Sequence, residues 1–307
     1  MKKVFIDGSY GTTGLRIHER LKERSDIELL EIAYEDRHSE ALRKEALNEA
    51  DIVFLCLPDQ AAIEAADLVE NKDTVIIDTS TAHRTSAGWV YGLAELKGQR
   101  EKIRAAKRIA NPGCHATGFI LLASPLVKAG IIDPDTILSL TSLTGYSGGG
   151  KKMIARYEAI EKEAHINAPQ LYGLGQKHKH LPEMAVMSGL KHPPIFNPVV
   201  ADYYSGMESI LSLDSTQIHG SMEEIRETYR KAYPCGMVHY EEKLDINGYL
   251  PADLYAGRDD CAITVIGNEE RMDVIALFDN LGKGASGAAI QNMNIVSGIE
   301  EETGLVE

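Results

Sequence analysis

Residues 1–112 alternate short apolar runs with charged, amphipathic ones, and this alternation restricts the fold more than any other feature of the chain. KKVFIDG, IELLEIAYE, DIVFLCLP and TVIIDTS read as strands. Between them lie a helical stretch from Thr13 to about Ser25, a second that is strongly charged, and a third from about Asp59. Strands joined through helices run parallel, because only a long crossover returns the chain to the same end of a sheet. The expected result is a Rossmann-like parallel sheet.

Past Cys114 the pattern changes. TILSLTSLTGYSGGGKK, NPVVADYYSGMESILSLDS and CAITVIGNEERMDVIALFDN are rich in β-branched residues, with an amphipathic helix at HGSMEEIRETYRKAY. They predict an α+β domain with a mainly antiparallel sheet. The final segment, KGASGAAIQNMNIVSGIEEETG, opens with small residues, turns helical and is expected to return to the N-terminal domain. At 307 residues the chain exceeds a single ordinary core. The fold class is therefore α/β with two domains, residues 1–113 with about 284–307 in the first and 114–283 in the second.

The first strand leads into the turn DGSYGTTG. Gly8, Gly11 and Gly14 permit a tight turn, close approach of a pyrophosphate and helix–sheet packing, while Ser9, Thr12 and Thr13 add hydroxyl donors. The spacing is GxxGxxG where the dinucleotide fingerprint is GxGxxG, so the preceding strand and following helix carry the assignment. After the second strand, AYEDRHSE sets Glu35 and Asp36 beside Arg37 and His38. An acid there favours NAD and an arginine favours NADP, and the stretch holds both.

In NPGCHATGFILLASPLVKAG a Pro-Gly turn delivers Cys114 onto the first turn of an apolar helix. A thiol there feels the positive end of the helix dipole and free backbone N–H groups, both of which favour the thiolate. A buried core cysteine is the plainer account. GQKHKHLPEM then brings His178, His180 and Glu183 close together, with Pro182 expected to break any helix that continues there. One imidazole can act as acid and base toward Cys114, and Glu183 can orient it or contact substrate. No third ligand at a metal spacing accompanies the pair, so no metal is expected.

The formal net charge of −14 argues against a nucleic-acid or anionic-membrane partner. Cys56, Cys114, Cys235 and Cys261 are too widely spaced for a disulfide scaffold and suit a reducing cytoplasm. The longest apolar stretch, GFILLASPLV, is too short to span a bilayer, and no secretory leader is evident.

GSYGTTG, NPGCHATG, TGYSGGGK, HKHLPEM and DNLGKGASGAAIQNMNI, in this order, make the chain similar to the N-acetyl-gamma-glutamyl-phosphate reductase family, in its shorter form. The resemblance runs from Gly8 to about Ile295. The aspartate-semialdehyde dehydrogenases are the nearest relatives in fold and chemistry, and the HxHxPE element favours the former family. Where that family more usually reads GASGYTG and HRHTPE, this chain reads GSYGTTG and HKHLPE.

The resemblance implies NADPH-dependent reduction of N-acetyl-L-glutamyl 5-phosphate to the 5-semialdehyde, a step of arginine biosynthesis, by a homo-oligomer (dimer or tetramer). Cys114 would form the thioester, with His180 first and His178 second as acid/base. The substrate's anionic groups need donors, for which Arg84 in DTSTAHRT and the stretch Ser147 to Lys151 are candidates. The resemblance also brings Asn111 and Asn280 toward the nicotinamide and Gly284 to Gly287 toward the phosphates. Three other readings stand beside it: a reductase of aspartyl or carrier-linked aminoadipyl phosphate, a non-catalytic NADP-binding redox sensor, and a cysteine hydrolase. The glycine turn argues against the hydrolase. The sensor leaves HKHLPE and YSGGGK without a purpose.

Overall fold

A computed structural model describes all residues from Met1 to Glu307. The chain divides into two compact units, one made of Met1–Ala94, Gly98–Pro112 and Ala285–Leu305, the other of Glu95–Lys97, Gly113–Gly284 and Val306–Glu307.

The first unit is built on β1 (Lys2–Asp7), β2 (Ile27–Leu30), β3 (Ile52–Leu55), β4 (Val75–Asp78), β5 (Val90–Tyr91) and β6 (Arg108–Ala110). These six strands are all parallel, in the order β2-β1-β3-β4-β6-β5. Helices α1 (Thr12–Lys22), α2 (Glu40–Glu49), α3 (Asp59–Asp67) and α4 (Gln99–Arg104) lie between them. Side chains alternate across a strand, and both faces are filled accordingly. Val4, Ile6, Ile52, Phe54, Val75 and Ile77 pack on Ile17 and Leu21 of α1 and Ile103 of α4. Phe5, Val53, Leu55 and Ile76 pack on Leu47 of α2 and Ala62 and Ala65 of α3.

Two elements depart from the sequence expectation. β2 stops at Leu30, well short of the apolar run, because it is an edge strand with β1 as sole neighbour, and Tyr34–Asp36 then forms a single 3-10 turn. β5 and β6 have two and three residues, too few to show a period in sequence.

The second unit opens with α5 (Cys114–Lys128) and continues through β7 (Ser139–Gly145), α6 (Gly150–Tyr157), β8 (Gln170–Leu171), α7 (Leu181–Ser188), β9 (Ile195–Ala201), β10 (Met207–Asp214), α8 (Met222–Ala232), β11 (Val238–Tyr240), β12 (Cys261–Gly267) and β13 (Arg271–Phe278). Its seven-stranded sheet runs β11-β12-β13-β10-β7-β9-β8. Four of its pairings are antiparallel, while β7–β9 and β11–β12 are parallel. Ser221 and Glu224 close a capping box that starts α8. Glu95 belongs to this unit through a buried ion pair with Lys283 at 2.5 Å.

The last helix, α9 (Gly287–Ser297), returns to the first unit, where Ala289, Ile290 and Met293 complete the face lined by α1 and α4. No helix is long and apolar enough to cross a membrane.

α5 contains Pro125, which has no N–H, so the carbonyl of Leu121 four residues earlier loses its helical donor. Tyr233, just past α8, donates its hydroxyl to that carbonyl at 2.9 Å, and Tyr229 donates to Leu122 at 2.5 Å. Tyr233→Phe should therefore lower the unfolding free energy by about 1–3 kcal/mol, the cost of an unpaired buried carbonyl. In a Pro125→Ala background the restored N–H should shrink that cost, which denaturant titration of the four proteins measures.

Glu208 on β10 is only 7 % exposed, and burial followed by the charge of Asp273 pushes its carboxyl up to about 7. Its unfolded value is near 4.5, so between these two values the unfolded chain releases a proton that the folded one keeps. Stability should fall as pH rises from about 4.5 to about 7, and Glu208→Gln should flatten that part of a Tm-against-pH curve.

Candidate active site

The glycine turn follows β1 on the first unit, where the order β2-β1-β3 reverses the direction of winding. That reversal opens a crevice at the carboxyl ends of the strands. Gly8 has φ +89°, and a Cβ there would collide with the Cys56 carbonyl that ends β3. A Cβ on Gly14 would likewise strike the Gly8 carbonyl, so this glycine lets α1 start against the turn. Gly11 N–H donates to Gly8 at 2.9 Å, and Thr12 and Thr13 begin α1.

A cavity of about 690 Å³ lies over this turn, lined by Gly8, Ser9, Gly11, Arg37, His38 and Arg43 among others. Arg37 is held in place by a 2.5 Å bond to the Tyr34 carbonyl and by stacking over the Tyr34 ring. Glu35 and Asp36 are exposed on the 3-10 turn. Arg43 forms a bidentate pair with Asp7, its closest approach 2.7 Å. A glycine floor at a helix start, with Arg37, His38 and Arg43 in the same lining, fits a nicotinamide dinucleotide. Glu31 also lines the cavity, paired with His18 at 2.7 Å. It follows Gly11 by the interval usual for a ribose-binding acid, a signal present in the sequence but not used above.

Arg84 is buried, and its guanidinium donates to the carbonyls of Asn111 and Thr79. Asn111 donates in turn to Ala285 and accepts from Asn292. Both residues belong to the first unit, and they brace the chain just before it leaves for Cys114.

On the second unit Cys114 is the first residue of α5, with Gly113 as N-cap. It is half-buried and in no disulfide. Gly284 packs so closely that a Cβ there would lie 2.9 Å from the Cys114 Cβ. Desolvation pushes the Cys56 thiol up to about 12 and raises that of Cys261, whereas Cys235 is exposed. Cys114 alone among the four joins partial exposure to a helix N-terminus.

His178 and His180 lie edge to face with ring centres 4.6 Å apart, and each is 5.9 Å from the ring of His115. The His180 N–H donates to Nδ1 of His178, which leaves Nε2 to carry the proton of a neutral His178 ring. Pro182 does not break a helix here. It sits in the first turn of α7, where its missing N–H has no partner to lose. Glu183 in the same turn is 1 % exposed and accepts from the Gly113 N–H at 3.2 Å, so it steadies the turn before Cys114. No three His, Cys, Asp or Glu side chains gather as a metal-ligand set.

Tyr146–Gly149 forms a 3-10 turn directly after β7, and α6 starts at Gly150, because β7 pairs on through Gly145 with β9 and the chain then winds at once into helix. Ser147 is buried and accepts from Asn280 at 3.0 Å, while Lys151 is exposed on α6. The Asn280 carbonyl oxygen accepts from Gly206, so both ends of this amide are engaged within the second unit. Gly284 likewise belongs to that unit and not to the one bearing the glycine turn.

His115 and Tyr172 were not reached from sequence. Burial, and then the charge of His178, pushes His115 down to about 3, so its ring is neutral. Its Nε2 meets the Tyr172 hydroxyl at 2.6 Å. An imidazole inside an otherwise apolar helix was the available signal for His115. Tyr172 had none.

Two family models match the chain: semialdehyde dehydrogenase, NAD binding domain, over residues 31–106, and semialdehyde dehydrogenase, dimerisation domain, over residues 114–280. Among solved structures it is similar to aspartate semialdehyde dehydrogenase II from Vibrio cholerae, with a TM-score of 0.71 at 15 % identity over 96 % of this chain and 98 % of that one. Aspartate semialdehyde dehydrogenase from Francisella tularensis gives 0.70 at 16 % identity, over 97 % and 100 % of the two chains. These two establish likeness of fold. The N-acetyl-gamma-glutamyl-phosphate reductases of Brucella ovis and Brucella canis are each 44 % identical over 306 residues, covering 96 % of this chain and 99 % of theirs. With that identity sustained across both units, the protein belongs to the N-acetyl-gamma-glutamyl-phosphate reductase family of oxidoreductases.

Proposed function

We propose that the protein reduces N-acetyl-L-glutamyl 5-phosphate to N-acetyl-L-glutamate 5-semialdehyde, with release of phosphate and with NADPH as reductant, in arginine biosynthesis. The observation that carries this reading is Cys114 at the first position of α5, with the His115, His178 and His180 rings clustered beside that helix start.

In this reading the Cys114 thiolate attacks the acyl carbon, the C–O bond to phosphate breaks, and inorganic phosphate leaves. NADPH, when bound, supplies the hydride that reduces the resulting thioester. His180 donates a proton to the oxyanion and takes it back as the hemithioacetal collapses to aldehyde and thiolate. His178, with Nδ1 occupied, is its neighbour and alternate. Backbone N–H groups of the first turn of α5 stabilise the oxyanion.

Ser147 accepts from Asn280 and keeps its own hydrogen for the substrate, with Lys151 nearby in sequence as a cation. Arg84 is assigned to the substrate's anionic groups only through its position beyond β4, since two of its donors already serve backbone carbonyls. Glu183 is assigned to the turn and not to the substrate.

Ser9, Gly11, Thr12 and Thr13 are assigned to the dinucleotide phosphates. Arg37, inside the cavity lining while Glu35 and Asp36 lie outside it, supports the preference for NADP. Asn280 and Gly284, on the unit that carries Cys114, are assigned to the nicotinamide end. The match to a dimerisation domain supports a homo-oligomer.

The reverse reaction tests the chemistry: N-acetylglutamate semialdehyde, phosphate and NADP should yield NADPH absorbance only when phosphate is present. Cys114→Ser should lower that rate at least about 1,000-fold with the fold intact. Activity with aspartate semialdehyde alone would keep the thioester and overturn the substrate, and silence with both would overturn the enzyme reading. Arg37→Ala should weaken NADP binding about 10- to 100-fold, the loss of a charge-assisted bond to phosphate, and leave NAD binding within about threefold. Equal loss for both cofactors, measured by titration without turnover, would remove Arg37 from phosphate recognition.

A further inference from the structure

The cavity over the glycine turn offers a dinucleotide two opposite signals. Glu31 comes directly after Leu30, the last residue of β2, and Leu30 pairs with Phe5 of β1, the strand that leads into Gly8. An acid at that place accepts a ribose hydroxyl of NAD and repels a 2′-phosphate, whereas an arginine attracts the phosphate of NADP. Glu31 and Arg37 line the same cavity.

The pairing of the charged side chains decides between them. Arg43 is engaged by Asp7 through two of its nitrogens. Arg37 is held by the carbonyl and the ring of Tyr34, neither of which carries a charge, so its own charge remains for a ligand. Glu31 is different, because its Oε1 meets Nε2 of His18 at 2.7 Å. His18 reaches it from α1. Gly11, Leu15 and His18 follow one another at i, i+4 and i+7, which puts all three on the face of that helix lining the cavity. The imidazole occupies one of the two carboxylate oxygens and, when protonated, cancels the charge. A carboxylate held in this way is a poorer acceptor for ribose hydroxyls and a weaker obstacle to phosphate.

We propose that His18 is a specificity-determining residue: by holding Glu31 it silences the acid and leaves Arg37 to set the preference for NADP. The inference rests on the cofactor reading above and deepens it. His18 is a positioning residue, since it acts through Glu31. The pair is partly open to solvent, with 25 % and 68 % of the two side chains exposed, so its effect falls on the choice between two ligands that differ at one group and not on the stability of the fold.

The test is calorimetric titration of NADP and of NAD into the full-length protein without substrate, read as the ratio of the two dissociation constants. His18→Ala should lower the preference for NADP about threefold to tenfold, chiefly by weakening NADP. His18→Lys, which sets a cation opposite Glu31 again, should bring the ratio back to within about twofold of wild type. In Glu31→Gln there is no acid to silence, so adding His18→Ala should move the ratio by less than about twofold. An unchanged ratio in His18→Ala overturns the proposal. A shift of the same size in the Glu31→Gln background also overturns it, because His18 would then meet the cofactor itself. Failure of the cofactor reading looks different: a wild type that binds NAD more tightly than NADP would end the NADP preference, while the shift on His18→Ala would still show whether Glu31 is held.

Discussion

The burial of α5 is the constraint on which the rest of the site depends. Eleven of its fifteen residues are buried, so the helix has almost no freedom to slide or rotate. Its first residue is therefore held as firmly as its middle. Such a helix would ordinarily tolerate neither a proline nor a histidine, and α5 has both. Each is matched by a partner brought from elsewhere in the same unit, Tyr233 to the carbonyl orphaned by Pro125 and Ser142 with Tyr172 to the ring of His115. The thiol of Cys114 thus stands at the end of a rigid element whose proline and histidine are both matched by partners.

Electrostatics follow the same logic of enclosure. A protein of net charge −14 has to handle anionic ligands, and it does so by local pairing and not by a general positive field. At the dinucleotide cavity Arg43 neutralises Asp7, and His18 stands against Glu31. At the start of α5 the ring of His115 is instead kept neutral by burial. A neutral, hydrogen-bonded ring leaves the position of its proton to be set by geometry. Lys283, next in sequence to the Gly284 that packs on Cys114, forms a dry ion pair with Glu95, and removing one partner would leave a charge buried alone.

The architecture was legible wherever a period repeated long enough to be seen. β1, β3 and β4 are buried on both faces and stand out as continuous apolar runs, and Cys114 after Pro-Gly marked the start of α5. The misses have physical causes. β2 lies at an edge, so its apolar run outlasts its pairing. Pro182 was read as a breaker because proline stops a helix from inside and starts one from the first turn, and sequence alone does not tell which applies. The bond from Gly113 to Glu183, and Tyr172 altogether, were out of reach for another reason. What they do depends on partners seventy and fifty-seven residues away, Gly113 and His115, and no local spacing encodes such a pairing.

The return of α9 has a consequence for how the molecule is made. β1 to β6 leave the ribosome first, yet one face of their sheet is finished only by Ala289, Ile290 and Met293, which arrive more than 170 residues after β6. Until then Ile77, Ile109 and their neighbours lack their cover, while residues 113–284 of the second unit are synthesised. The unit whose sheet is translated first is thus the last to be sealed, and the nascent chain, more than the finished enzyme, is exposed to aggregation.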